Sequence, residues 1–221
     1  VAPGMRLVSR YEDIREISRS PERFCSGRGV LANDPIRAGG TIEGSILHMD
    51  PPQHNGWRRI LNREFTARAV GMNEDRIRAR AIDLLDAVPP GEVVDLVDVL
   101  AAPLPGMVSA DVLGVPEDAR GEFRRWSDAT ISASDGRARM TPEEMVAVGE
   151  LATFLDDLAQ EKAKHPGPDV VSLLVRAEVD GRRLSRGELS TFNLSLLIAG
   201  NETTRHLISG GLMALAEHPD Q

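Results

Sequence analysis

Residues 199–204, near the end of the chain, read Ala-Gly-Asn-Glu-Thr-Thr and combine small side chains, an acid and two hydroxyls. Ala199 and Gly200 leave one side of a helix without bulky groups, so a flat ligand could lie against the backbone. The Thr203 hydroxyl can bond back to the Ala199 carbonyl and so admit water to the helix. Glu202 could relay protons from solvent. Small residue, acid and alcohol together suit the delivery of protons to a bound ligand.

One long helix must carry these residues. Ser185 and Glu188 form a capping-box pattern, and no proline follows until Pro219, which predicts a helix of roughly 45 Å at 1.5 Å per residue. Its first half is apolar on nearly every side, which indicates burial. Glycine costs about 1 kcal/mol relative to alanine inside a helix, and a buried carboxylate is costly unless it is paired. The unfavourable residues therefore mark 199–204 as a candidate functional site.

A second pair of residues, His54 and Arg58, lies four positions apart in a predicted helix. Asp50 is expected to cap this helix, and Gln53 to complete a capping box. The spacing places the imidazole and the guanidinium on one face, where together they can hold a carboxylate. The alternative is a surface helix with ordinary solvated charges.

Both patterns resemble those of one family. Residues 199–204 look like the Ala-Gly-x-Glu-Thr-Thr signature in the long central helix of the cytochromes P450, the haem-thiolate monooxygenases. Asp50-Pro51-Pro52-x-His54-x-x-x-Arg58, with Phe65-Thr66 beyond it, is similar to the bacterial-type pattern of the same family. The resemblance runs from about Arg10 to Gln221. It implies a mainly α, partial cytochrome P450 fold with a long central helix and short β segments.

The resemblance also implies an activity. The protein would use O2, two protons and two electrons from a ferredoxin-type redox partner to insert an oxygen atom into an apolar small molecule. Thr203 would hold bound dioxygen or a water, and Glu202 would supply protons. Ser195 and Ile198, about one turn earlier on the same face, are our candidates for substrate contacts.

The implied cofactor is haem b, the iron protoporphyrin IX. Its carboxylate and its flat face would be contacted by four residues: His54, Arg58, Ala199 and Gly200. Cys25 is the only cysteine of the chain, but it lies near the start. The family's cysteine ligand belongs to a glycine-rich loop well after the long helix, preceded by a Glu-x-x-Arg helix. We therefore expect no metal ligand in this chain and a thiolate ligand after Gln221, with 1–221 forming a single partial domain that is not competent alone.

Composition limits the partners and the location. A net charge of −8 at pH 7 argues against a nucleic-acid partner, which would require a basic face. No run of about 18 apolar residues is present, so no membrane span is predicted. A single cysteine among 221 residues favours the reducing cytoplasm.

The remaining pattern predicts about eight helices and two short strands. Irregular sequence over 28–44 predicts a long loop. The resemblance implies that this loop covers the substrate. The helices after 116 and 141 would form a lid in the same family. Other predicted elements are helices over 11–18, 66–85 and 96–113, the last kinked at Pro103 and Pro105, and strands over 7–9 and 93–95.

Three alternatives stay open at this point. The chain could be a non-catalytic helical fragment that binds an apolar ligand or packs against a partner chain. Glu202 and His206, at i and i+4, could bind a metal ion in a mononuclear enzyme. Glu202 could also be a structural acid paired with an arginine.

Overall fold

The computed structural model describes residues 6–30, 34, 36, 39–133 and 140–221. Much of the predicted loop over 28–44, and residues 134–139 between the two predicted lid helices, lie outside this part. Within the described residues the chain forms nine α-helices, which are α1 Tyr11–Arg19, α2 Gln53–Leu61, α3 Ala67–Gly71, α4 Glu74–Asp86, α5 Pro103–Leu113, α6 Arg120–Ala133, α7 Pro142–Lys164, α8 Val170–Arg176 and α9 Arg186–Glu217.

Helix α9 is the predicted long helix, with 32 residues and a length of about 48 Å at 1.5 Å per residue. Its predicted capping box is present. The Glu188 backbone N–H donates to Ser185 Oγ at 3.3 Å, and the Ser185 N–H donates to Glu188 Oε2 at 2.8 Å. Helices α5, α6 and α7 pack against it.

Two apolar clusters form the core, and α9 contributes to both. Leu197 belongs to a cluster with Phe123 of α6 and Leu151 of α7. Phe192 belongs to a second cluster with Trp57 of α2. Because α9 is shared, it fixes the position of α2 relative to α5, α6 and α7.

The entry to α5 shows the predicted proline effect. Residues Val97–Ala101 form a π-helical turn, in which the Ala102 N–H donates to the Val97 carbonyl at 2.8 Å, and α5 begins at Pro103. Proline has no N–H and cannot continue an i to i−4 ladder, so the helical path changes there.

The helix predicted over 66–85 is two helices, so that prediction was wrong. Thr66 does cap α3, accepting from the Ala69 N–H at 3.2 Å, but α3 ends at Gly71. The Asn73 side chain donates to the Ala69 carbonyl at 3.3 Å. An asparagine side chain that competes for a helix carbonyl favours an interruption, and α4 begins directly afterwards.

The capping role predicted for Asp50 was also wrong. Its carboxylate accepts from the Ser26 N–H at 2.7 Å and from the Gly27 N–H at 3.0 Å. Pro52 occupies the N-cap position of α2 without a side-chain hydrogen bond, so Gln53 completes no capping box. Asp50 instead fixes the loop at 26–27 beside the start of α2.

The strands predicted over 7–9 and 93–95 are absent. In the part of the chain that the structure describes, the only β pairing is an isolated bridge between Val179 and Arg182. That bridge closes a turn in which Asp180 and Gly181 both have positive φ, 51° and 77°, as a type I′ hairpin requires. A short extended segment without a partner strand has too few hydrogen bonds to form a sheet.

Candidate active site

Helix α2 reaches the first half of α9 through the side chain of Trp57. Trp57 is fully buried there and packs on Phe192. Gly56 has no room for a side chain, since an added Cβ would come within 2.3 Å of Val179 Cγ1. The tight packing of α2 fixes the direction in which its neighbouring polar residues, His54 and Arg58, point.

His54 and Arg58 line one cleft with a volume of about 560 Å³. The cleft wall also includes Ser26, Phe24, Ile46 and Met49. Among the described residues, neither His54 nor Arg58 has a side-chain hydrogen bond or an ion pair. The structure therefore brings the two predicted residues to one open surface, where their N–H groups are available to a ligand carboxylate.

One side of α9 becomes exposed from Ala199 onward, while Asn201 stays buried at 1% exposure. Leu197 is 2% exposed, whereas Ala199, Gly200 and Thr203 are exposed. The Thr203 hydroxyl donates to the Ala199 carbonyl at 2.7 Å, as the sequence predicted. Glu202 is half-buried and forms no ion pair with any described residue, which leaves the paired-acid alternative without support.

Gly200 also lies where α9 comes close to α5. A Cβ added at Gly200 would lie 3.3 Å from Ser109 Oγ of α5. Gly200 and Thr204 line an apolar cavity of about 270 Å³ between α4, α5 and α9. This cavity shares no described lining residue with the cleft of His54 and Arg58. Gly200 thus allows α5 to approach closely.

Ser195 is buried, and Ile198 is half-buried. Ser195 Oγ lies 3.1 Å from Ser45 Oγ and 2.8 Å from the Thr191 carbonyl. The sequence did not predict that Ser45 or His48 would contribute to this region. They lie next to a stretch without helical or strand periodicity, and only Gly44, one residue before Ser45, indicates a close backbone contact.

No metal-binding cluster exists within the described residues. No group of three or more histidine, cysteine, aspartate or glutamate side chains converges there, so Glu202 and His206 lack further ligands. Cys25 is exposed and free. Every helix in the described part is also too short or too polar to serve as a membrane span.

Comparison with known proteins identifies the family. The chain is 35% identical over 223 residues to a steroid C26-monooxygenase of Mycolicibacterium smegmatis, covering 99% of the chain and 52% of that protein. It is 35% identical to a linalool 8-monooxygenase of Pseudomonas putida, covering 99% of the chain and 56% of that protein. No protein-family model matches the sequence.

The structural comparison agrees with the sequence comparison. Cytochrome P450 CYP268A2 of Mycobacterium marinum, solved with pseudoionone, superposes with a TM-score of 0.83 at 38% identity over 97% of this chain and 53% of its own. The chain belongs to the cytochrome P450 family. It spans about half the length of the curated relatives that it matches. The open form of cytochrome P450 Eryk from S. erythraea superposes with a TM-score of 0.79 at 34% identity over 96% of this chain and 53% of its own.

The described residues of this P450 chain fit part of a haem. The free N–H groups of His54 and Arg58 in one cleft suit a carboxylate, and the exposed strip of Ala199 and Thr203 suits a flat group. Cys25 is exposed and does not line the cleft of His54 and Arg58. The described residues therefore present two donors for a carboxylate in one cleft and an exposed strip of α9 for a flat group.

Proposed function

We propose that this chain is part of a haem-dependent monooxygenase. The whole enzyme would hydroxylate an apolar small molecule. The observation that carries the proposal is the exposed strip of Ala199 and Thr203 on a helix whose preceding turns are buried. The steroid and linalool monooxygenases among its relatives support a substrate that is largely hydrocarbon.

His54 and Arg58 would hold a haem carboxylate from α2. The packing of Trp57 on Phe192 supports this role, because it sets α2 against α9 and leaves both donors facing the same cleft. Ala199 would give the haem a flat contact on α9. Gly200 would share this contact, and it also lets α5 pack closely through Ser109. When bound, the haem supplies the activation of O2.

Thr203 and Glu202 would move protons toward the bound oxygen. The Thr203 hydroxyl is held at 2.7 Å from the Ala199 carbonyl, where it can also accept a hydrogen bond from a water. Glu202 is half-buried without a cationic partner among the described residues, so its carboxylate is free to exchange protons between solvent and that water.

The substrate would lie against the face of α9 that carries Ser195 and Ile198. Ile198 offers an aliphatic contact. The Ser195 hydroxyl is already hydrogen-bonded within the protein, so it adds little polarity to this wall. An apolar molecule would therefore lose no hydrogen bond by packing here.

Three further components belong to the proposal. The iron ligand would be a cysteine thiolate in the part of the protein beyond Gln221. Electrons would come from a ferredoxin-type donor with its reductase. The enzyme would work in the cytoplasm, whose reducing conditions keep a cysteine ligand free of disulfides.

The test compares the full-length protein with a chain limited to residues 1–221. We expect the full-length protein to bind haem and its reduced form to give the red-shifted carbon monoxide complex of thiolate-ligated haem, and we expect the short chain not to give it. A full-length protein that binds no haem after expression with added haem precursor would refute the proposal.

The apolar cavity between α4, α5 and α9 favours a second candidate, a non-catalytic module that binds an apolar ligand. A full-length protein that contains no haem but still binds an apolar fluorescent dye would favour this second candidate over the monooxygenase. The same dye titration with Val108→Asp, which places a charge in the cavity wall, should then lose the signal.

A further inference from the structure

A series of buried hydrogen bonds links α9 to the segment that precedes α2. Ser195 Oγ lies 3.1 Å from Ser45 Oγ, Ser45 Oγ lies 3.0 Å from His48 Nδ1, and His48 Nε2 lies 3.2 Å from Asp34 Oδ1. Ser45 is 4% exposed and Ser195 7%, and the side chains of His48 and Asp34 are 9% and 3% exposed. We call these four residues the polar chain.

The chemistry of the four groups gives the polar chain a direction. A carboxylate only accepts hydrogen bonds, so His48 Nε2 donates to Asp34. In a neutral imidazole the other nitrogen then accepts, and it takes the hydrogen of Ser45. Ser45 then has an acceptor site free for Ser195, whose one hydroxyl hydrogen is shared between Ser45 Oγ and the Thr191 carbonyl. Removing one member leaves a neighbour buried without its partner, which costs more than the bond itself contributes.

Apolar packing surrounds the polar chain on the same segment. Gly44 has a φ of 82°, and a Cβ placed on it would lie 2.4 Å from both the Cα and the carbonyl oxygen of Glu188, so the segment touches the α9 backbone. Met49 is buried in the cluster of Trp57 and Phe192. Apolar contacts hold this segment against α9 but are not directional. The hydrogen bonds are directional, so they specify one alignment of the segment relative to α9.

We propose that Ser45 and His48 are positioning residues for the substrate site. They hold segment 44–48 against Ser195 and so fix the wall that this segment and α9 form together. The inference rests on the proposed function, because it takes the Ser195 and Ala199 side of α9 as the substrate side. These two residues are four positions apart and share a helix face.

The first experiment measures hydrogen exchange at the backbone amides of residues 44–49 in the full-length protein. We expect Ser45→Ala and Ser195→Ala each to speed exchange about fivefold, the scale of one buried hydrogen bond. The double variant should be no faster than Ser45→Ala alone, because Ser45→Ala already removes the bond to Ser195 together with the bond to His48. Ser195→Thr, which keeps the hydroxyl, should restore slow exchange.

Ser209→Ala is the matched control, because the Ser209 hydroxyl bonds only to carbonyls of its own helix, at 3.0 Å to Arg205 and 3.3 Å to His206. Its exchange at 44–49 should equal that of the wild type. Additive effects of the two serine changes, or an equal effect of Ser209→Ala, would overturn the proposal. The hydrogen-exchange measurement needs no enzymatic activity. It can therefore contradict the positioning role without contradicting the monooxygenase proposal, and the monooxygenase proposal can fail while the positioning role is confirmed.

The second experiment tests positioning rather than folding, with two probes of the haem-loaded protein. The affinity for imidazole depends on the haem alone. The affinity for 4-phenylimidazole depends also on the protein wall beside the haem, because its phenyl ring contacts that wall. We expect His48→Leu and Ser45→Ala each to lower the affinity for 4-phenylimidazole about fivefold and to leave the affinity for imidazole unchanged. His48→Gln, which keeps a donor and an acceptor, should recover part of the loss. Equal weakening of both probes, or of neither, would contradict a positioning role.

Discussion

Trp57 of α2 meets Phe192 of α9 edge to face, with ring centroids 6.1 Å apart and ring planes at 65°. Both rings are fully buried. An edge-to-face pair adds about 0.5–1.5 kcal/mol beyond the area that it buries. This contact makes the position of His54 and Arg58 depend on α9, although the two helices are more than a hundred residues apart in sequence.

Replacing Trp57 should therefore affect both stability and the cleft. We expect Trp57→Ala to destabilise the protein by about 3–5 kcal/mol, the usual cost of emptying a buried aromatic site. Trp57→Phe should cost less, because it keeps a ring against Phe192. Urea denaturation measures the change. Trp126→Phe is the control, since that indole is only partly buried and lies between α6 and α7, and it should move the midpoint less.

The close contact of Gly44 with Glu188 gives a second prediction. Gly44→Ala should destabilise the protein by more than Gly91→Ala, measured by urea denaturation. Both glycines have φ near 80°, so each substitution carries a conformational cost of about 1–2 kcal/mol. A Cβ added at Gly44 would also lie 2.4 Å from the Glu188 backbone of α9, whereas a Cβ added at Gly91 would meet nothing within 4 Å. Equal effects would show that the close contact is relieved at no cost.

The elements predicted best from sequence were those defined by local rules. The capping box of Ser185 and Glu188, the cap by Thr66 and the break before Pro103 depend on residues within one helical turn. Periodicity and capping patterns report on such neighbours directly. The hydrogen bond from Thr203 to the Ala199 carbonyl belongs to the same class.

The features that could not be predicted from the sequence depend on residues far away along the chain. Asp50 has a side chain suitable for a helix cap, but the Ser26 and Gly27 N–H groups take its carboxylate. The close approach of Gly200 to Ser109 depends on how α5 packs against α9. Ser45 and Ser195, 150 positions apart, form a hydrogen bond that no local pattern encodes. Such contacts become visible only once the helices are packed.

The stability of the protein should depend on pH through Glu188. Burial raises the pKa of Glu188, but hydrogen bonds from the Ser185 backbone and from the Arg182 guanidinium more than offset it, so the pKa lies below its ordinary value. The folded state then binds a proton less readily than the unfolded chain. Its contribution to stability is present above the unfolded value of about 4.3 and is lost as the pH falls through the folded pKa.

Glu188→Gln should therefore be less stable than the wild type at neutral pH, and the difference should shrink as the pH falls below about 4. Chemical denaturation across a pH series measures it. Glu217→Gln, at the exposed other end of α9, is the control and should show no such convergence. A difference between Glu188→Gln and wild type that stays constant with pH would contradict the assignment.

Arg58 should matter for haem retention in the full-length protein. Arg58→Ala removes a guanidinium that faces the cleft of His54, so we expect the ratio of haem absorbance to protein absorbance to fall after dialysis. Loss of one charge-assisted hydrogen bond corresponds to about 1.5–3 kcal/mol, or roughly 10- to 150-fold in affinity. Arg59→Ala is the matched control, because Arg59 is exposed and does not line the cleft. Equal haem loss from both variants would remove the specific role of Arg58.

Thr203→Ala gives the sharpest test of the proton path. The variant loses the hydroxyl that lies 2.7 Å from the Ala199 carbonyl, and with it the group that would present a water to the bound oxygen. We expect electrons still to be consumed but to appear as hydrogen peroxide, while product formation falls by roughly 10²-fold, the lower range for a positioned proton donor. Product, peroxide and electron consumption are measured together in the full-length enzyme.

Two neighbouring variants separate this chemistry from packing. Thr203→Ser keeps a hydroxyl and should retain most of the product yield. Thr204→Ala changes a threonine that lines the cavity between α4, α5 and α9, so it should leave the ratio of product to peroxide near that of the wild type. If Thr203→Ala gives as much product per electron as the wild type, the hydroxyl has no part in proton delivery, and Glu202 must act without it.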